Sequence, residues 1–271
     1  MKIVIYIDTA DSWKIKAAAI TAFSVKRNGN LEKSQYILYS PEYEIARNNE
    51  IAKAIFERIE PPPLKGIFEK IPQWQKTLEV KYCRECWTKF ICLLNTPTEG
   101  EPVALLDWDI LCTGDISEIA PPPGKILSIR MGVKKGGGEA AGANGGVVCK
   151  SADFDKEPDK ELFTQPLFNG TAWTQTRKIW RYSDEAGLAW YMHVRGKEKI
   201  NKLEMKYNYP VVWHAKSGRN IAQNDTRIIH FMGANKPWKN RSKRLFWLFW
   251  RYDKMTQEMM KYLEQKKERK E

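Results

Sequence analysis

Short apolar runs alternate along the chain with longer amphipathic stretches. Lys2 to Asp8 (KIVIYID) is nearly continuous in apolar residues and reads as a buried strand. Trp13 to Lys26 is rich in Ala with apolar residues at helical spacing, and Asn28-Gly29 ends it. Gln35 to Leu38 reads as a short strand. Ser40-Pro41-Glu42 has the chemistry of a helix start: a hydroxyl to cap, a proline for the first turn and an acid for the positive end of the dipole. The helix it opens stops before Pro61-Pro62-Pro63. Lys81 to Leu94 reads as a further helix and Pro102 to Asp107 as a strand. This alternation predicts an α/β fold, with a mostly parallel sheet and helices on both faces. Ligands in such sheets bind beyond the carboxyl ends of the strands, and Asp8 and Asp107 both stand at such ends.

The second half is less regular. Gly132 to Gly146 is glycine-rich and reads either as a mobile loop beside a site or as a surface hairpin. No GK[ST] follows it, so it is not a phosphate-cradling loop of that type. Ile179 to Val194 reads as a helix with Asp184-Glu185 near its start. Asn208-Tyr209-Pro210 reads as a turn and Thr226 to Phe231 as a late strand.

At 271 residues and 42% hydrophobic content, the chain suffices for one large α/β domain or two small ones. No run approaches the roughly 20 apolar residues of a membrane span. The first residues read as a strand rather than a signal peptide, and five cysteines is an odd number, so the expected location is cytoplasmic. Cys83 and Cys86 form a CxxC without a second pair, which suits reduced helix thiols better than zinc.

The net charge of +12 changes the picture more. Lys239 to Glu271 holds eleven Lys/Arg against five Asp/Glu, so half the excess lies in the tail. A nucleic-acid binder is expected to carry a basic stripe across its fold instead, which makes that function an alternative and not the first reading. Leu245, Leu248, Phe249, Tyr252, Met255, Met259 and Tyr262 recur at helical spacing. Arg241, Lys243, Arg244 and Arg251 bracket Phe246, Trp247, Phe249 and Trp250. Two readings of residues 241–271 stand side by side: a basic aromatic helix lying in an anionic membrane interface on the inner face, or a helix packed on a domain of residues 1–240.

Candidate chemistry centres on Asp107-Trp108-Asp109, where a strand ends in two acids. Such carboxylates call for positive charge, and a hard divalent cation with oxygen ligands fits. Far downstream, His230-Phe231-Met232-Gly233 and Lys236-Pro237-Trp238 place an imidazole and an ammonium close together. Alone, His230 between Ile229 and Phe231 reads as a core histidine, and the two acids read equally well as helix-capping loop residues or as ligands.

In order, these pieces resemble the retaining glycosyltransferases of family eight, the glycogenin and lipooligosaccharide galactosyltransferase family. The resemblance runs over residues 1–240. It rests on a first strand ending in Asp8, Arg84 in the helix before the acidic strand end, and Leu106-Asp107-Trp108-Asp109-Ile110-Leu111. It continues through Asn144-Gly145-Gly146-Val147-Val148, Asp184-Glu185, Asn208-Tyr209 and the run from His230 to Trp238. Ala186, Ala189 and Glu185 stand where the family has Asp, Asn and Gln.

The resemblance implies a GT-A type, Rossmann-like mixed sheet flanked by helices. It implies a UDP-sugar donor and transfer with retention to a glycan, lipid-linked or protein acceptor. Mn2+ or Mg2+ would be held by Asp107, Asp109 and His230. Asp8 and Asp11 would lie near uracil and ribose, Arg84 near donor phosphate or sugar, Asn144 at the sugar, and Gly233 and Lys236 at the diphosphate. The backbone of Trp108 would touch the ribose while its ring packs. Asp184 would bind sugar hydroxyls, and Glu185 would act beneath the anomeric carbon as nucleophile or charge stabiliser. A non-catalytic nucleotide-sugar module is the other alternative.

Overall fold

The computed structural model describes residues 1–64, 67, 70, 81–133, 139–172, 183–211, 225–232, 236–239 and 245–269; for 81–83, 131–133, 139–144 and 183–185 it describes the backbone. In chain order the elements are β1 (Lys2–Tyr6), α1 (Ser12–Asn28), β2 (Gln35–Tyr39), α2 (Tyr43–Asn48), α3 (Glu50–Ile55), β3 (Arg58–Glu60), α4 (Lys81–Asn95), β4 (Val103–Leu106) and β5 (Ile110–Cys112). They continue with β6 (Leu127–Val133), β7 (Glu139–Lys150), α5 (Gln165–Phe168), α6 (Ser183–Arg195), β8 (Ile200–Leu203), β9 (Tyr209–Pro210), β10 (Ile228–His230) and α7 (Phe246–Glu268).

A seven-stranded sheet runs β3-β2-β1-β4-β7-β6-β8, and a three-stranded sheet runs β5-β10-β9. The large sheet is mixed: β2 is parallel to β3 and β6 to β8, whereas β6 and β7 are antiparallel. Strands β1 and β4 are buried at every position, which is why each reads as an unbroken apolar run rather than an alternating one.

Several sequence expectations need correction. The helix opened by Ser40-Pro41-Glu42 breaks at Asn49, whose side chain accepts from the amides of Ile51 and Ala52 and caps a new helix. Strand β3 follows, too short and polar to announce itself. Of the two readings of the glycine-rich stretch, the hairpin is the one that holds: β6, ending at Val133, and β7, beginning at Glu139, pair antiparallel on either side of it, while 134–138 lie outside the described residues. Strand β8 carries no apolar alternation long enough to be read.

The chain divides into two compact units. The first comprises Met1–Val4, Pro61–Leu105 and Ile119–Leu203. In it α4 and α6 pack together, with Phe163 stacked on Tyr191 at 4.5 Å. Gly187 is required in α6, because a Cβ there would stand 2.0 Å from the Phe163 carbonyl oxygen. The β6–β7 register jumps from Ile129↔Val148 to Arg130↔Asn144, so Gly145-Gly146-Val147 forms a bulge. Lys150 is fully buried; its Nζ donates to the Leu94 carbonyl at the end of α4 and to Asp155. Burial pulls the Lys150 ammonium down to about 8, against the pull of Asp155.

The second unit comprises Ile5–Glu60, Leu106–Glu118 and Glu204–Glu271. Here α1 presents a polar stripe, Thr21, Ser24 and Asn28, at helical spacing toward the backbone of residues 108–112. Helix α7 buries Leu248, Phe249, Tyr252, Met255, Met259 and Leu263. Phe249 and Tyr252 both meet Phe231, just beyond β10.

Candidate active site

The acidic strand end is held by its neighbours on both sides. After β4 the chain passes through Asp107-Trp108-Asp109 and re-enters as β5. One edge of β5 pairs antiparallel with β10, which sets His230 opposite Ile110; the Phe231 amide then donates to the Asp109 carbonyl at 2.9 Å. The other edge is closed by α1. The Thr21 hydroxyl lies 2.9 and 2.8 Å from the carbonyls of Trp108 and Ile110 and accepts from the Ile110 amide. Ser24 Oγ accepts from the Cys112 amide, and Asn28 donates to the Cys112 carbonyl. An edge strand that would otherwise expose backbone groups is thus satisfied by side chains.

This scaffold brings the carboxylates and the imidazole together. His230 Nε2 lies 3.2 Å from Asp109 Oδ1 and 3.4 Å from Asp107 Oδ2. One ligand atom from each of the three residues falls within 4.8 Å of the others. Asp109 and His230 are buried. The fully buried Asn208 accepts from His230 Nδ1 at 2.9 Å, which leaves Nε2 as the ring nitrogen turned to the carboxylates. Lys236 Nζ bonds to Asp109 Oδ2. Burial alone would raise the Asp109 carboxyl, but His230 and Lys236 outweigh it and hold the group well below the usual carboxylate range. Two carboxylates and one imidazole, with no thiolate, form a donor set that fits Mn2+ or Mg2+, manganese the better for its tolerance of nitrogen.

A second ion pair lies across an indole ring. Lys14, in the first turn of α1, bonds to Asp8 and sits 5.4 Å from the Trp108 ring centre. Lys236 lies 5.3 Å from the same centre. Trp108 also touches Trp13 and Trp238, with ring centres 5.6 and 5.4 Å away. The expectation that the Trp108 side chain merely packs is therefore refined: it packs, and it packs between the two lysines of the site. Trp13 is 46% exposed, so this aromatic wall reaches solvent.

Of the residues singled out from sequence, Asp8, Asp107, Trp108, Asp109, His230 and Lys236 form this constellation. Asp11 starts α1, its carbonyl accepting from the Lys14 and Ile15 amides and its carboxylate from the Thr9 hydroxyl. Arg84 is an exposed residue of α4; Asn144 lies on β7 opposite Arg130, and Asp184 and Glu185 in the first turn of α6, all in the first unit. Gly233 lies outside the described residues, as do the side chains of Asn144, Asp184 and Glu185. Thr21 and Lys14 were not anticipated; Asn208 was read as a turn and as one piece of the resemblance, with no role assigned to its side chain.

No family model matches this sequence, and no curated protein does. Solved structures do. The galactosyltransferase LgtC, in complex with donor and acceptor sugar analogues, aligns over 95% of this chain and 96% of its own, with a TM-score of 0.58 at 14% identity. The glycosyltransferase GlyE of Streptococcus pneumoniae TIGR4 aligns over 95% of this chain and 63% of its own, with a TM-score of 0.60 at 16% identity. Mouse xyloside xylosyltransferase 1 aligns over 86% and 98%, with a TM-score of 0.56 at 12% identity. The chain has a glycosyltransferase fold. At these identities the likeness concerns architecture: a mixed sheet flanked by helices, of the GT-A type, with a helix at the C-terminal end.

Proposed function

We propose that the protein is a metal-dependent retaining glycosyltransferase that moves a sugar from a UDP-sugar to a glycan, lipid-linked or protein acceptor. The observation that carries this reading is the meeting of His230 Nε2 with Asp107 and Asp109, on a fold shared with a galactosyltransferase solved with donor and acceptor analogues. A divalent cation in this donor set would neutralise charge on the departing diphosphate. Lys236 would leave Asp109 for the same phosphate oxygens, while Asp107 and Asp109 stay as oxygen ligands. Asp8 and Asp11 would hold the uridine with the Trp108 backbone, and Arg84, Asn144 and Gly233 would contact phosphate and sugar.

Asp184 would bind sugar hydroxyls. Glu185 would face the anomeric carbon, as nucleophile or as a charge stabiliser for an oxocarbenium-like transition state. The set of similar structures includes an active-site Gln-to-Glu mutant of LgtC, and this chain carries Glu where the resemblance has Gln. Replacing Glu185 with Gln should cut transfer sharply and spare UDP binding; unchanged turnover would remove its catalytic role. Residues 241–271 would bring the enzyme to a membrane surface from the cytoplasmic side. Among the described residues no helix is long and apolar enough to cross one.

The test is manganese-dependent release of sugar from UDP-sugars, with Asp109→Asn as control. Release by the wild type and not by the variant supports the reading. Its absence with every donor, alongside tight, salt-sensitive binding of DNA or RNA, would favour the basic-binder alternative.

A further inference from the structure

Helix α7 has two apolar faces, and among the described residues only one of them is packed against the fold. Leu248, Phe249, Tyr252, Met255, Met259 and Leu263 turn inward and are buried. Phe246 and Trp250, one turn apart, are 71% and 54% exposed, and Met260 is exposed further along. The helical period sets Phe246, Trp250, Lys254, Gln257 and Lys261 in one outward stripe. Cations lie over rings on the stripe and beside it: Lys254 Nζ is 5.7 Å from the Trp250 ring centre, and the neighbouring Arg251 guanidinium is 5.1 Å from that of Trp247. Beside this stripe lies an open cavity of about 440 Å³, lined by Trp250, Arg251, Lys254, Arg27, Glu258 and the end of β5. Three cations and one acid line it, and the acid is bonded to Arg27 at 2.9 Å.

We propose that this face is a seat for an anionic phospholipid. Phe246 and Trp250 enter the headgroup–acyl boundary, and the lipid phosphate is taken into the cavity by Arg251 and Lys254, with Arg27 behind them. This deepens the membrane contact given above, and it names the residues, the lipid charge and the phosphate site. Charge and geometry on this face complement such a surface together. A soluble monomer gains nothing by exposing a Phe–Trp pair, whereas rings at the boundary with cations at phosphate depth match an anionic bilayer at both levels. The buried set is separate from the exposed set, so the outer face can be altered without touching the core.

The test is co-sedimentation of the full chain with vesicles of phosphatidylcholine alone and of phosphatidylcholine with phosphatidylglycerol. The wild type is expected to pellet with the anionic vesicles at low salt and to stay in solution with the neutral ones. Phe246→Ser with Trp250→Ser, and separately Arg251→Glu with Lys254→Glu, are each expected to lower partitioning about tenfold or more with an unchanged melting temperature. Wild type left in the supernatant with anionic vesicles, or a charge-reversed variant pelleting like the wild type, overturns the proposal. Release of sugar from a UDP-sugar, measured on the same preparations without vesicles, separates the two readings. Its absence with vesicle binding intact defeats the transferase reading alone; its presence with no vesicle binding defeats this one alone.

Discussion

His230 hands its Nδ1 to Asn208, and that single 2.9 Å contact decides which ring nitrogen faces Asp107 and Asp109. Asn208 is fully buried and its Oδ1 can only accept, so Nδ1 keeps a proton and Nε2 is the nitrogen that can turn a lone pair to a cation. Asn208→Ala frees the ring to change tautomer and to rotate. Manganese affinity should fall about 10- to 100-fold, the usual cost of losing a partner behind a metal ligand. Calorimetric titration of Mn2+ checks this, and an unchanged affinity would mean that His230 is oriented by something else.

Lys236 and a cation contend for Asp109. An ammonium bonded to Asp109 Oδ2 cannot ligate a metal and repels it. Lys236→Met should therefore bind Mn2+ about tenfold tighter in the absence of nucleotide, while UDP binding with manganese present becomes weaker. Opposite movement of the two affinities is the signature. Weaker binding of both would show that Lys236 only supports the local structure.

Thr21 tests the scaffold rather than the ligands. Its hydroxyl stands between two carbonyls and the Ile110 amide and is fully buried. Valine keeps the shape and removes every bond, at a cost of about 1–3 kcal/mol in unfolding free energy. Because Thr21 also fixes the backbone carrying Asp109, Mn2+ affinity should fall with it. Denaturant melts and metal titration on Thr21→Val check both.

Lys150 gives a pH dependence with a definite sign. Folding pulls it down to about 8 from the 10.5 expected of an unfolded chain. Between those values the unfolded state binds more protons, so stability should rise as the pH is raised from 8 toward 10.5. Below pH 8 the lysine is charged in both states and its burial remains a cost. Lys150→Met should flatten this rise relative to the wild type, by about 1 kcal/mol or more in urea melts at pH 8 and pH 10.

What the sequence made legible has a physical pattern. Strands β1 and β4 were readable because strands buried on both faces leave unbroken apolar runs. Asp107, Asp109 and His230 were readable because acids at a strand end call for positive charge and because the run from His230 to Trp238 carried the family resemblance; residue type alone would have left His230 a core histidine. Thr21 and Lys14 were not readable, and neither was the role of Asn208 behind the imidazole. Each is an ordinary polar residue until tertiary packing sets it beside a backbone edge, an acid or an imidazole. The break at Asn49 was missed because an Asn inside a helical pattern costs little, and only its capping bonds reveal two helices. In α7 the helical spacing was plain, and Phe246 and Trp250 fall off the buried stripe; their exposure follows from the same period.

The most direct measurement is a Mn2+ titration, followed by electron paramagnetic resonance, of the wild type, Asp107→Asn, Asp109→Asn and His230→Ala, with and without UDP. The account predicts one saturable site in the wild type, tightened by UDP and lost or strongly weakened in all three variants. A wild type that binds no manganese, or variants that bind it as the wild type does, would contradict the metal centre on which the proposed sugar transfer depends.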